Sequence, residues 1–109
     1  MRVRKLFLIL TLVAVLAAVG AAYAFAASTK TVKVGDNFFS KSSLTIKRGT
    51  KVKWVWSGTH NPHNITSKGH FHSKTQTSGS FTERFKKKGT YKILCTVHPT
   101  QMTMTVRVK

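Results

Sequence analysis

Apolar and polar residues alternate along most of this chain with a period of two. Val32 and Val34 flank Lys33, and Leu44 and Ile46 flank Thr45. Val52, Trp54 and Trp56 share one parity across Lys51–Trp56, Phe81 and Phe85 stand either side of Glu83, and Tyr91, Ile93 and Cys95 alternate. Met104, Val106 and Val108 close the chain in the same rhythm. Successive side chains of a strand point to opposite faces, so short runs of this kind, rich in β-branched and aromatic residues, predict strands with one packed and one solvated face. Turn-forming triplets separate them: Gly35-Asp36-Asn37, Arg48-Gly49-Thr50, Ser57-Gly58-Thr59, Thr77-Ser78-Gly79 and Lys88-Gly89-Thr90. About seven short strands at this spacing predict an all-β fold, an antiparallel β-sandwich. The polar stretch Ser67–Ser80 reads as an exposed irregular loop, and no amphipathic helix is expected beyond residue 27.

The first residues break the pattern. Arg2, Arg4 and Lys5 are followed by a nearly continuous apolar run from Leu6, and small residues gather at Ala21–Ala27. Basic start, apolar middle and Ala-x-Ala end are the order of a secretory signal, with cleavage after Ala24 or after Ala26. Left uncut, the same run approaches the roughly 20 residues that span a bilayer and would serve as an anchor helix. The expected organisation is a signal or anchor over 1–26, a short linker over 27–30 and one domain over 31–109, exported to the periplasm, cell envelope or exterior.

Export changes what the rest of the composition means. A domain of this size buries only about two-thirds of its unfolded surface, and exported domains of its kind often recruit disulfides. Cys95 is the single cysteine, so an internal disulfide is excluded and a metal ligand becomes an attractive role for it. A bound metal would also supply folding energy. The formal charge is +17, with Asp36 and Glu83 the two acids. Export makes nucleic acid an unsuitable partner. An anionic envelope surface or a redox partner with an acidic docking face suits the charge, as does plain solubility of a monomer.

Four donors of the right chemistry fall in two places. His63 lies in Asn61-Pro62-His63-Asn64-Ile65, after the Trp-rich strand. Cys95, His98 and Met102 lie together between the last two strands. Thiolate, two imidazoles and a weak thioether form the set that holds copper in a trigonal site with a long axial bond. The spacing C-x2-H-x3-M lets one loop present three of them. Sulfur favours Cu(I) and imidazole accepts Cu(II), so such a site changes little on redox. Taken singly, Cys95 and Met102 could be core residues and His98 a turn residue. Met102 is expected as the axial ligand and Met104, which opens the apolar alternation, as core.

At these residues the sequence resembles the plastocyanin-like branch of the cupredoxin family. The resemblance runs through Asp36-Asn37-Phe38-Phe39, Leu44–Gly49, Val52-Lys53-Trp54, His63-Asn64-Ile65, Gly89-Thr90-Tyr91, Cys95–Pro99 and Met102–Val106. It implies a Greek-key sandwich with one type 1 copper ion near one end, held by His63, Cys95, His98 and Met102. It prefers His63 to the nearby His60, and implies that the edge of His98 lies in an apolar surface patch. It also implies that Asn64 ties the two ligand loops by bonding beside the cysteine, at Thr96. His70 and His72, around Phe71, are expected as a solvated pair, with an adventitious second metal as the alternative. The expected function is a non-enzymatic carrier of single electrons; copper trafficking or storage in the envelope is the rival.

Overall fold

The structure, a computed structural model, describes residues 28–109; the signal or anchor expected over 1–26 lies outside the described residues. Nine strands follow one another: β1 (Thr29–Gly35), β2 (Phe38–Phe39), β3 (Ser43–Ile46), β4 (Lys51–Trp56), β5 (Thr66–Ser67), β6 (Phe71–His72), β7 (Ser80–Arg84), β8 (Gly89–Leu94) and β9 (Thr103–Val108). They form a four-stranded sheet in the order β2-β1-β4-β7 and a five-stranded sheet in the order β3-β9-β8-β5-β6. The all-β sandwich read from the alternation is present. Two of its pairings are parallel, β1 with β4 and β3 with β9, because the chain changes sheets at β3 and returns. Alternation reports which face of a strand is buried and is silent on the direction of its neighbour.

The inward positions are those of the period-two pattern. Val32, Val34, Val52, Trp54, Ile93, Val106 and Val108 are buried with Phe85 between the sheets. Trp54 sits among Phe71, Phe81 and Phe85, with ring centres 6.1 to 6.4 Å away. The indole N–H groups of Trp54 and Trp56 find no acceptor among the described residues, a cost that the large aromatic burial has to outweigh.

Ser67–Ser80 departs from the expected exposed loop. Ser67 and Ser73 are buried, and β5 and β6 form a small antiparallel edge to the larger sheet. Ser73 Oγ accepts from Ile65 N–H at 2.9 Å, while Ser73 N–H donates to Ile65 O at 2.8 Å. Hydroxyls that take over ladder bonds make a polar sequence compatible with burial. Phe71, partly buried, supplies this segment's link to the core.

The turn between β1 and β2 has two residues, since Gly35 pairs with Phe38. Asn37 adopts φ of 69° there, a left-handed conformation that Asn tolerates better than most residues. The turn presents Asp36 at the end of the sandwich where the connections after β4 and β8 also emerge.

Candidate metal centre

The β4–β5 connection is held in place by its backbone. His63 N–H donates to Gln76 O and Gln76 N–H to His63 O, both at 3.0 Å, an isolated bridge that pins His63 to the segment before β7. The β8–β9 connection closes on itself. Met102 N–H donates to His98 O, and Cys95 N–H donates to Met102 O, each at 3.0 Å. These bonds fold the C-x2-H-x3-M segment into one compact loop. His63, Cys95 and Met102 are fully buried and His98 is partly exposed.

Two of the donors already face each other. His63 Nδ1 is 4.0 Å from Cys95 Sγ. A divalent first-row ion bonds thiolate at about 2.3 Å and imidazole at about 2.0 Å. The gap is shorter than those two bonds laid end to end, so a single ion can reach both atoms. The His98 ring centre lies 5.6 Å from that of His63. Among the described residues no three His, Cys, Asp or Glu side chains close into a complete cage. His63 and Cys95 are buried side by side, and His98 lies partly exposed near the His63 ring. Met102 is buried in the same loop and Met104 pairs with Ile93 inside β9; both belong to the buried apolar cluster.

The outer nitrogen of His63 is committed elsewhere. Its Nε2 lies 2.9 Å from Asp36 Oδ1. The same carboxylate accepts from His60 N–H at 3.0 Å and from Asn61 N–H at 3.1 Å. These bonds, that of His60 first, then the His63 ring and Asn61, lower the Asp36 pKa to about 2. The carboxylate is therefore an ionised acceptor at neutral pH, and Nε2 carries the hydrogen. In neutral His63 that leaves the Nδ1 lone pair bare and turned toward Cys95 Sγ. A carboxylate fixing tautomer and ring orientation behind a metal-binding histidine is a recurrent device.

Asn64 joins the two loops, as its expected role requires. Its Oδ1 accepts from Thr96 N–H at 3.1 Å, and its Nδ2 donates to Thr96 Oγ1 at 2.7 Å and to Thr75 Oγ1 at 3.0 Å. Thr66 Oγ1 donates to Oδ1 at 2.8 Å. Asn64 N–H also points at Cys95 Sγ, 3.4 Å away.

His60 is exposed and contributes a backbone N–H to Asp36. His70 is exposed and packs edge-on against Tyr91, ring centres 5.0 Å apart, while His72 lies exposed in the edge strand β6. Asp36 and Thr75 are the participants that reading the sequence missed. Asp36 reads as an ordinary turn residue, and its scarcity is the one signal that sets it apart: it is one of two acids in 109 residues.

Residues 26–109 match the family described as copper binding proteins, plastocyanin/azurin family. The chain belongs to that family. Cupredoxins bind a single copper ion and are generally carriers of single electrons. This cupredoxin is similar to the purple cupredoxin from Nitrosopumilus maritimus at 27% identity, over 73% of this chain and 99% of that one, with a TM-score of 0.66. It is similar to a reduced amicyanin variant at 25% identity over 74% and 82% of the two chains, with a TM-score of 0.63. A copper-containing nitrite reductase from Thermus scotoductus shares the fold at 23% identity and a TM-score of 0.62; the match covers 74% of this chain and 22% of that enzyme. No curated protein sequence matches it. The donor set and the committed tautomer of His63 fit the copper that cupredoxins carry.

Proposed function

We propose that this cupredoxin is an exported, non-enzymatic carrier that passes single electrons through one type 1 copper ion held by His63, Cys95, His98 and Met102. The supporting observation is the buried pair His63–Cys95, with Nδ1 4.0 Å from Sγ and Nε2 held by Asp36. Copper supplies the one-electron couple when bound. The chain's own residues do the rest. Cys95 is shielded from solvent and receives an N–H from Asn64. His63 is locked in orientation from behind, and the bonds between Asn64 and Thr96 hold the two loops in register. A centre whose ligands are fixed by the fold moves little when the charge of the metal changes, which keeps electron transfer fast.

His98 is the partly exposed donor, flanked by Val97, an exposed large apolar residue, and by exposed Pro99 and Thr100. This edge is the natural contact for a redox partner. The test is the visible spectrum after adding Cu(II) to the purified protein. An intense blue or purple thiolate-to-copper band and a reversible reduction potential support the reading; a colourless complex overturns it. Copper surrendered to an acceptor protein on mixing, without a reversible potential, would assign the protein to copper delivery.

A further inference from the structure

The positive charge is concentrated away from the donor loops. No Lys or Arg occurs from Trp54 to Ser67 or from Ile93 to Val106; Lys74, in the segment after β6, and Lys41, before β3, are cations at that end. At the other end the β3–β4 turn, the β7–β8 turn and Lys109 converge. Arg48 N–H donates to Lys109 O at 3.2 Å, Gly49 N–H to Phe85 O at 2.7 Å and Phe85 N–H to Thr50 O at 3.0 Å. These bonds gather Lys47, Arg48, Lys86, Lys87, Lys88 and Lys109 at one pole, all exposed. Among the described residues none of the six has an acidic partner within salt-bridge distance.

The chain also enters the domain at this pole. Lys51 N–H donates to Ser28 O at 3.0 Å, and β1 starts one residue later, straight after the apolar run that ends at Ala27. We propose that the pole docks on an anionic lipid surface, so that the domain stands with its donor loops facing away from the membrane. Three consecutive lysines repel one another in the isolated protein, and a sheet of anionic headgroups relieves that repulsion for several cations together. A membrane is favoured over an acidic redox protein by position. Six residues of extended chain separate Gly89 from Cys95, about 20 Å at 3.3 Å each, so a protein bound at the pole would sit at the wrong end for the donors. The proposal draws on the copper reading only for what faces outward.

The experiment uses the full chain reconstituted in vesicles of phosphatidylcholine alone and of phosphatidylcholine with phosphatidylglycerol. Lysines are acylated with an N-hydroxysuccinimide ester and quantified residue by residue by mass spectrometry. On anionic vesicles Lys47, Lys86, Lys87 and Lys88 should label at least about threefold more slowly, with Lys74 unchanged. Salt at 1 M, where the Debye length is about 3 Å, should remove the difference. Replacing Lys86, Lys87 and Lys88 together by Ser should abolish protection at Lys47 and Lys109, and replacing all three by Arg should preserve it. Equal labelling on the two lipids, or equal protection of Lys74, overturns the proposal. Protection that appears only when an acidic protein is added overturns it too and assigns the pole to a protein partner. Copper takes no part in the labelling, so a failed copper assignment would leave this result readable.

Discussion

The two ends of this sandwich are built by different means. At the end with His63 and Cys95, side chains bridge long stretches of sequence: Asp36 reaches the segment His60–His63, and Asn64 reaches Thr75 and Thr96. At the opposite end the turns are joined mainly by backbone bonds, and the side chains, mostly lysines, are left free. Backbone bonds accept almost any residue, so that end can carry charge for a surface. Side-chain bonds demand particular residues, and the end with His63 shows what such bonds achieve: a histidine nitrogen held 4.0 Å from Cys95 Sγ. Changes at the donor end should therefore alter copper chemistry and stability together, while changes at the basic end should leave the copper chemistry untouched.

The largest effect should come from Cys95→Ser. Removing the thiolate should abolish the intense visible band and most of the stabilisation by copper. Copper at a hundred times its Kd adds about 2.7 kcal/mol, which for a domain of this size is a Tm rise of at least about 10 °C. Calorimetry of wild type and variant, each with and without copper, checks this. A variant that keeps the full rise would remove Cys95 from the centre.

Next in size is Asn64→Ala. It removes the part-buried hydrogen bonds to Thr96 N–H, Thr96 Oγ1 and Thr66 Oγ1, and the loss of each such bond costs about 0.5–1.5 kcal/mol. Metal-free protein should lose about 2 kcal/mol in denaturant unfolding, and the copper band should shift as the two loops loosen. A loss of stability with an unmoved spectrum would mean that Asn64 serves the fold alone.

Asp36→Asn keeps the shape and removes the charge. Copper affinity should fall by about 10- to 100-fold, the range for losing a partner behind a metal-bound histidine, and the reduction potential should rise as the anion that favours Cu(II) disappears. The metal-free protein offers a second measurement. Asp36 has its pKa lowered to about 2, so its carboxylate contributes stability above about pH 4 that is lost as pH falls toward 2. The variant should lack this part of the acid limb.

Three further substitutions probe the two ends at smaller scale. Met102→Leu should retain the colour and raise the potential, whereas Met104→Leu should cost under about 1.5 kcal/mol and leave the potential in place. The reverse result would exchange their roles. Arg84→Ala, at the basic end, removes the bond from Nη1 to Gly49 O at 3.0 Å. It should cost no more than about 1.5 kcal/mol with spectrum and potential unchanged; a moved potential would show the two ends to be coupled.

Much of this protein was legible in one dimension. Strand faces follow from alternation because a pleated chain must put every second side chain on the same side, and Val32, Val34, Trp54, Ile93 and Val106 are buried as that rule requires. Three of the expected donors share one loop, so their proximity was implied by spacing alone. What only the tertiary structure decided depends on contacts between segments far apart in sequence. Parallel pairing of β1 with β4 cannot be read from either strand. The burial of Ser73 depends on Ile65, whose backbone gives the hydroxyl a partner. Asp36 stands 27 residues before His63, and nothing in its local sequence distinguishes a turn aspartate from one that fixes a histidine tautomer. Local sequence sets the direction in which a side chain points, but its partner is chosen by packing, and partners decide the tautomer of His63 and the surroundings of Cys95.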